Sequence, residues 1–197
     1  ERAFRRSEEL VNARATAPMQ FFLDSLNAVP GRSTDDSLLA NLLQARWYRH
    51  TSRKLQAYQL LDTIRVDSTK HAPFLCYLRD YQLAKVLLDM QLYDEAKAMT
   101  AVAARSATRG KLPQAALDMG LLACEIDLQR NELEAALNGF HGVLAKCRKA
   151  NYYAGTYSAL IGLGNVYYYQ EQDSIALLHY RQALQAARDA GSAHMAL

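Results

Sequence analysis

Five histidines, three cysteines and one Gly-x-Gly are the residues from which this chain could build catalysis or a ligand site. His50, His71, His141, His179 and His194 show no metal-ligand spacing among themselves. Cys76, Cys124 and Cys147 form an odd set without a Cys-x-x-Cys pair, which disfavours a disulfide framework and a zinc site alike. They read as small buried hydrophobes. His141 and Cys147 could be imagined as base and nucleophile. Six residues apart on one helix, they fall on different faces, and no third group orients the base. Gly162-Leu-Gly164 lacks the third glycine and the preceding strand of a dinucleotide loop. Glu132 and Glu134 suit a helix N-terminus, where negative charge meets the dipole. The expectation is a chain with no catalytic residue, no metal and no cofactor.

The bulk properties point the same way. At 197 residues the chain can bury a real core or extend as a stack. Half of it is hydrophobic and 22% is charged, a globular balance. Four prolines and nine glycines are too few for the many turns of an all-β fold, and Ala, Leu and Gln favour helix. The net charge of +3 is small and both signs are mixed, so nucleic acid is not an expected partner. No apolar run approaches the length of a membrane span. Glu1-Arg-Ala-Phe-Arg-Arg carries no apolar core after its charges, as a secretory leader would. The chain starts without Met and reads as part of a longer protein.

An internal repeat organises the sequence. Ala176, Tyr180 and Ala183 recur 40 residues upstream as Ala136, Phe140 and Val143, and 40 further as Ala96, Thr100 and Ala103. A step of 39 reaches Ala57, Leu61 and Ile64. Twelve residues before each alanine stands a small residue: Gly164, Cys124, Ala84 and Ala45. Each unit therefore holds two helices, A then B, which meet at the small residue on A and the alanine on B. Neither helix can bury its apolar stripe alone, so the hairpins must stack. Pro73 and Pro113 fit the first turn of a helix A. Asn131 with Glu134 fits a capping box, and Asp35 or Asp36 could cap the helix after Pro30-Gly31. Phe22–Leu26 echoes Leu60–Ile64 at a step of 38, which predicts a helix B over 16–28 and a helix A over 1–14. Another helix A is expected to start at Ala193–Leu197.

This pattern resembles the tetratricopeptide repeat. Leu163, Gly164, Tyr167, Ala176, Tyr180 and Ala183 match its small, aromatic and alanine positions, while Leu160 stands where the family has Trp. The resemblance covers Leu38 to Leu197, with a period of about 40 against the usual 34. It implies an all-α, right-handed α-solenoid of stacked antiparallel helix hairpins. The expected divisions are a degenerate hairpin over 1–37 and repeats over 38–76, 77–116, 117–156 and 157–197 of one domain.

In this family the exposed side of helix A lines a groove. The register places Arg46, Arg49 and His50 there, then Tyr81, Lys85 and Asp89, then Leu121, Glu125 and Gln129, then Asn165, Tyr168 and Tyr169. Some members clamp a peptide carboxylate with Lys and Asn. Lys85 and Asn165 match in type, but Glu125 between them would repel an anion. The implied function is non-enzymatic binding of a peptide or protein. The Asp173-Ser174-Ile175-Ala176 turn looks like those of repeat arms preceding kinase or DNA-binding modules in bacterial signalling proteins. Such an arm would be periplasmic in a membrane-anchored regulator and cytoplasmic otherwise. The alternative is a scaffold that dimerises through its solenoid ends.

Overall fold

A computed structural model describes residues 16–28, 31, 33–67 and 70–189. The helix A expected over 1–14 and the one expected from Ala193 lie outside the described residues. Nine helices and no strand occur among the described residues. They are α1 (Thr16–Asn27), α2 (Thr34–His50), α3 (Lys54–Thr63), α4 (Pro73–Asp89), α5 (Tyr93–Arg109), α6 (Pro113–Gln129), α7 (Leu133–Lys149), α8 (Tyr153–Tyr169) and α9 (Asp173–Asp189). The chain divides into two compact units, Glu1–Gly110 and Lys111–Leu197. In the first, α2/α3 and α4/α5 pair as hairpins that pack on each other, and α1 packs on α2. In the second, α6/α7 and α8/α9 do the same.

The long repeat period has a simple origin. Seven of these helices are 17 residues long, about 25 Å each. Two such helices and two three-residue connections make a step of about 40. The extra length over a 34-residue repeat lies in the helices, close to one turn apiece.

The small-residue rule holds at the hairpin crossings. Ala45, Ala84 and Cys124 are buried on the A helices, and Ala57, Ala96, Ala136 and Ala176 on the B helices. Gly164 is the tightest of them. A Cβ there would stand 2.3 Å from Cε1 of Tyr180 on α9. Gly162 is tight in the same way against the Phe140 ring on α7, so α8 meets one neighbour on each side through a missing side chain. Leu160, Leu163 and Val166 fill the interior between them. In the first unit Leu23 of α1 packs on Leu43 and Trp47 of α2.

The turns share a backbone feature that their residue types do not announce. Each helix end from α2 to α8, apart from that of α3, passes through one left-handed residue: Ser52, Gln91, Lys111, Asn131, Asn151 and Glu171, all with φ between 51 and 63°. In five of them the next N–H bonds back five residues and the left-handed residue's own N–H bonds back three, as in Gln91 to Leu88 and Leu92 to Leu87. This Schellman pattern satisfies the carbonyls left over at the helix end. It normally takes glycine, and none of the six is glycine. Asn131 is thus a helix C-terminal residue and not a cap. Its expected box with Glu134 does not form, because Glu132 occupies the N-cap without a side-chain bond. At α2 the cap is Ser33. Its Oγ accepts from the Asp36 N–H at 3.1 Å, and Asp36 accepts back from the Ser33 N–H at 3.3 Å. Asp35 instead accepts from His71 at 2.8 Å and from the Ala72 N–H at 3.2 Å, tying the start of α4 to the start of α2. The His71 hydrogen bond holds the Asp35 carboxyl below its ordinary pKa. Pro73 and Pro113 do open α4 and α6.

Two substitutions test these features by urea unfolding. Gly164→Ala should destabilise by about 1–2 kcal/mol, because the Tyr180 ring must move by more than the gain in helix propensity offsets. Gln91→Gly should stabilise by roughly 0.5–1 kcal/mol, by relieving a left-handed side-chain-bearing residue.

Candidate functional site

The A helices of each unit place the predicted groove residues on neighbouring helices of that unit. In the first unit α2 carries Arg46, Arg49 and His50, and α4 carries Tyr81, Lys85 and Asp89. Nη1 of Arg49 donates to Oδ2 of Asp89, 40 residues on, at 3.3 Å. Lys54, at the start of α3, adds a bond from Nζ to the Asp89 carbonyl oxygen at 2.5 Å. Tyr81 stacks on Tyr77 with ring centroids 5.8 Å apart, which fixes one aromatic face beside the charged cluster.

His50 reports the field of this cluster. Its pKa is pushed down to about 4, first by desolvation and then by Arg49 and Arg46, with Lys85 adding to the shift and Asp89 opposing it. The hydrogen-bond geometry agrees. Nη2 of Arg49 lies 3.2 Å from Nε2 of His50. Arginine can only donate, so Nε2 must accept, and the neutral ring carries its proton on Nδ1. Four cations, Arg46, Arg49, Lys54 and Lys85, against the one carboxylate of Asp89 therefore make this face of the first unit electropositive, with His50 uncharged at neutral pH.

The second unit presents a different surface. Tyr168 and Tyr169, in the last turn of α8, are 61% and 57% exposed, with their rings 6.0 Å apart and edge to face. Glu125 is half-buried and Gln129 exposed on α6. Asn165 was expected to face away from helix B together with the two tyrosines. It does not, because its Oδ1 accepts from the Tyr180 hydroxyl of α9 at 2.9 Å. The cause is Gly164: with no side chain there, the Tyr180 ring crosses α8 and reaches the next residue. Tyr167 turns into the unit, its ring stacked on His179 at 5.2 Å. His141 meets the same His179 edge to face at 6.4 Å.

The cysteines are free and buried. Burial pushes the Cys124 thiol up to about 11 and raises Cys76 and Cys147 as well, the reverse of what a nucleophile needs. Among the described residues, no three His, Cys, Asp or Glu side chains are placed to hold a metal, and no helix is long and apolar enough to cross a membrane. Sequence reasoning missed one polar constellation. Asp80 is 5% exposed, bonded to Arg79 at 3.1 Å and to the Ser106 hydroxyl at 2.9 Å. The available signal was an acid 40 and 80 residues before Gly120 and Leu160, at a register position that is apolar in the later repeats.

His50 gives a direct check on the charge cluster. Its folded pKa lies below the unfolded value of about 6.5, so the unfolded chain binds the proton first. Its contribution to stability is complete above that value and is lost as pH falls toward 4. Proton NMR should show His50 titrating near 4, well below a free imidazole, and Arg49→Gln should move it upward.

No family model and no curated sequence matches this chain. Solved structures do. The apo form of RapI matches with a TM-score of 0.66 at 12% identity, over 96% of this chain and 70% of that one. The Rap conjugation gene regulator of the plasmid pLS20, in complex with the Phr* peptide, matches with a TM-score of 0.70 at 14% identity, over 96% of this chain. Aspartyl phosphate phosphatase F from Bacillus subtilis matches with a TM-score of 0.68 at 15% identity, over 97% of this chain. The chain spans 52% and 51% of the length of these last two. The likeness establishes a helical-repeat fold.

Proposed function

We propose that this chain is a non-enzymatic module that binds a peptide or protein on the faces of its A helices, and that it serves as the regulatory arm of a bacterial signalling protein. The observation that carries this reading is a contrast within the C-terminal half of α8. Gly162 and Gly164 are surrendered to packing, while Tyr168 and Tyr169, one turn on, stand exposed as adjacent rings. Tyrosine offers a large contact area with few rotatable bonds, and paired exposed rings on an ordered helix are preorganised to bind. The electropositive face of α2 and α4 adds a charged contact, favouring ligands with acidic groups. A fold neighbour described in complex with a Phr* peptide supports a peptide as the ligand class, and its description as a gene regulator supports the regulatory role.

A second reading, self-association, draws on α9, where Ile175, Leu177 and Leu178 are 39%, 49% and 53% exposed. Light scattering across concentration separates the two: a mass independent of concentration removes this second reading.

Phage-displayed random heptapeptides selected on the immobilised chain provide the binding test. Selected peptides should lose about 1–2 kcal/mol of affinity on Tyr168→Ala or Tyr169→Ala. Independently, peptides rich in Asp or Glu that bind the first unit should weaken on Arg46→Ala with Lys85→Ala, and more so at low salt. Peptides that bind all variants like the parent chain would remove the A-helix faces from the proposal.

A further inference from the structure

The first unit holds a cavity of about 550 Å³ between α4, α5 and the segment before α4, lined by none of the residues assigned to peptide binding. Its polar wall is Arg79, Asp80, Ser106 and Arg109, and its apolar wall includes Val66, Pro73 and Val102. The size falls within the range of small-molecule sites. The second unit has a register-equivalent cavity 80 residues on, about 440 Å³, lined by Leu160, Ala186 and Asp189 where the first has Asp80, Ser106 and Arg109. The sharpest difference is at one position: Leu160 stands in the second unit where the first has the buried, ion-paired Asp80, while both linings also carry polar residues.

The Asp80 network is expensive for a fold that manages without it elsewhere. The Arg79 and Asp80 side chains are 13% and 7% exposed. Arg79 donates through Nη1 to Asp80 and through Nη2 to the Leu61 carbonyl at 3.3 Å. Ser106 takes the second Asp80 oxygen. The Nε of Arg79 is buried and has no hydrogen-bond partner. A buried guanidinium N–H left unpaired is unfavourable. Arg79 and the exposed Arg109 line the cavity together. Two arginines against one aspartate leave the wall with one net positive charge, which suits a monoanion and disfavours a dianion.

We propose that this cavity binds a small organic monocarboxylate, its anionic end on Arg79 and Arg109 and its short hydrocarbon end against Val66, Pro73 and Val102. Cys76 lines the same cavity and supplies a local reporter. The whole chain is titrated calorimetrically with hexanoate, and with hexylamine and inorganic phosphate as contrasts. Alkylation of each cysteine by iodoacetamide is followed by peptide mass mapping. Hexanoate should bind and slow the alkylation of Cys76, leaving Cys124 and Cys147 unchanged. Arg79→Gln should weaken binding about tenfold, the loss expected for a charge-assisted hydrogen bond. Because Arg79 is a structural partner of Asp80, Val102→Phe, which fills the cavity, and Arg109→Gln at its rim serve as second variants. Both should keep native circular dichroism and weaken hexanoate. Equal binding of hexanoate and hexylamine, binding of phosphate in place of hexanoate, no binding, or a folded Val102→Phe that binds like the parent would each overturn the proposal.

Discussion

The close approach of two helices at a residue with little or no side chain is the constraint on which this structure depends. A 17-residue helix with an apolar stripe cannot hide that stripe alone. It can do so only if a neighbour comes near enough to exclude water along its length. Ala45, Ala84, Cys124 and Gly164 permit that approach on one side, and Ala57, Ala96, Ala136 and Ala176 on the other. Around each contact the larger residues, such as Leu163, Val166 and Phe140, find their depth. Helix propensity alone would not hold these helices in water; packing does.

The same contact places the polar chemistry. Gly164 lets Tyr180 lie across α8, and the ring then carries its hydroxyl to Asn165. Asn165 is drawn into the hairpin, while Tyr168 and Tyr169, beyond the crossing, remain on the surface. In the first unit the side-by-side packing of α2 and α4 brings Arg49 to Asp89 and sets Arg46 and Lys85 in electrostatic reach of His50. Packing residues and surface residues are thus read from one helical phase, and a change in the first kind relocates the second.

This explains which parts of the protein were legible in its sequence. The hairpins and their crossings were, because small residues at a fixed period leave a pattern that sequence alone displays. The first-turn prolines at Pro73 and Pro113 were legible for a local reason, since proline lacks the N–H that the first turn does not use. The turns were not. Their left-handed residues are Ser, Gln, Lys, Asn and Glu, so the glycine that usually marks such a position is missing. Asn131 looked like a helix start and is a helix end. Asn165 was misplaced because a neighbour's reach, not its own position on the helix, decides where its carboxamide points. The buried Arg79–Asp80–Ser106 network joins residues 26 apart across two helices, a tertiary relation with no local mark.

The 17-residue length shared by seven of the helices carries a further consequence. With 3.6 residues per turn, one residue added inside a helix rotates everything after it by about 100°. An insertion in α8 ahead of Gly164 would swing the gap away from Tyr180 and send Tyr168 and Tyr169 toward other neighbours. A changed letter at an exposed position disturbs only its own contacts. Such a chain can therefore diverge widely in spelling while its spacing stays nearly frozen, and drift in its relatives should be rich in replacements and poor in gaps within helices.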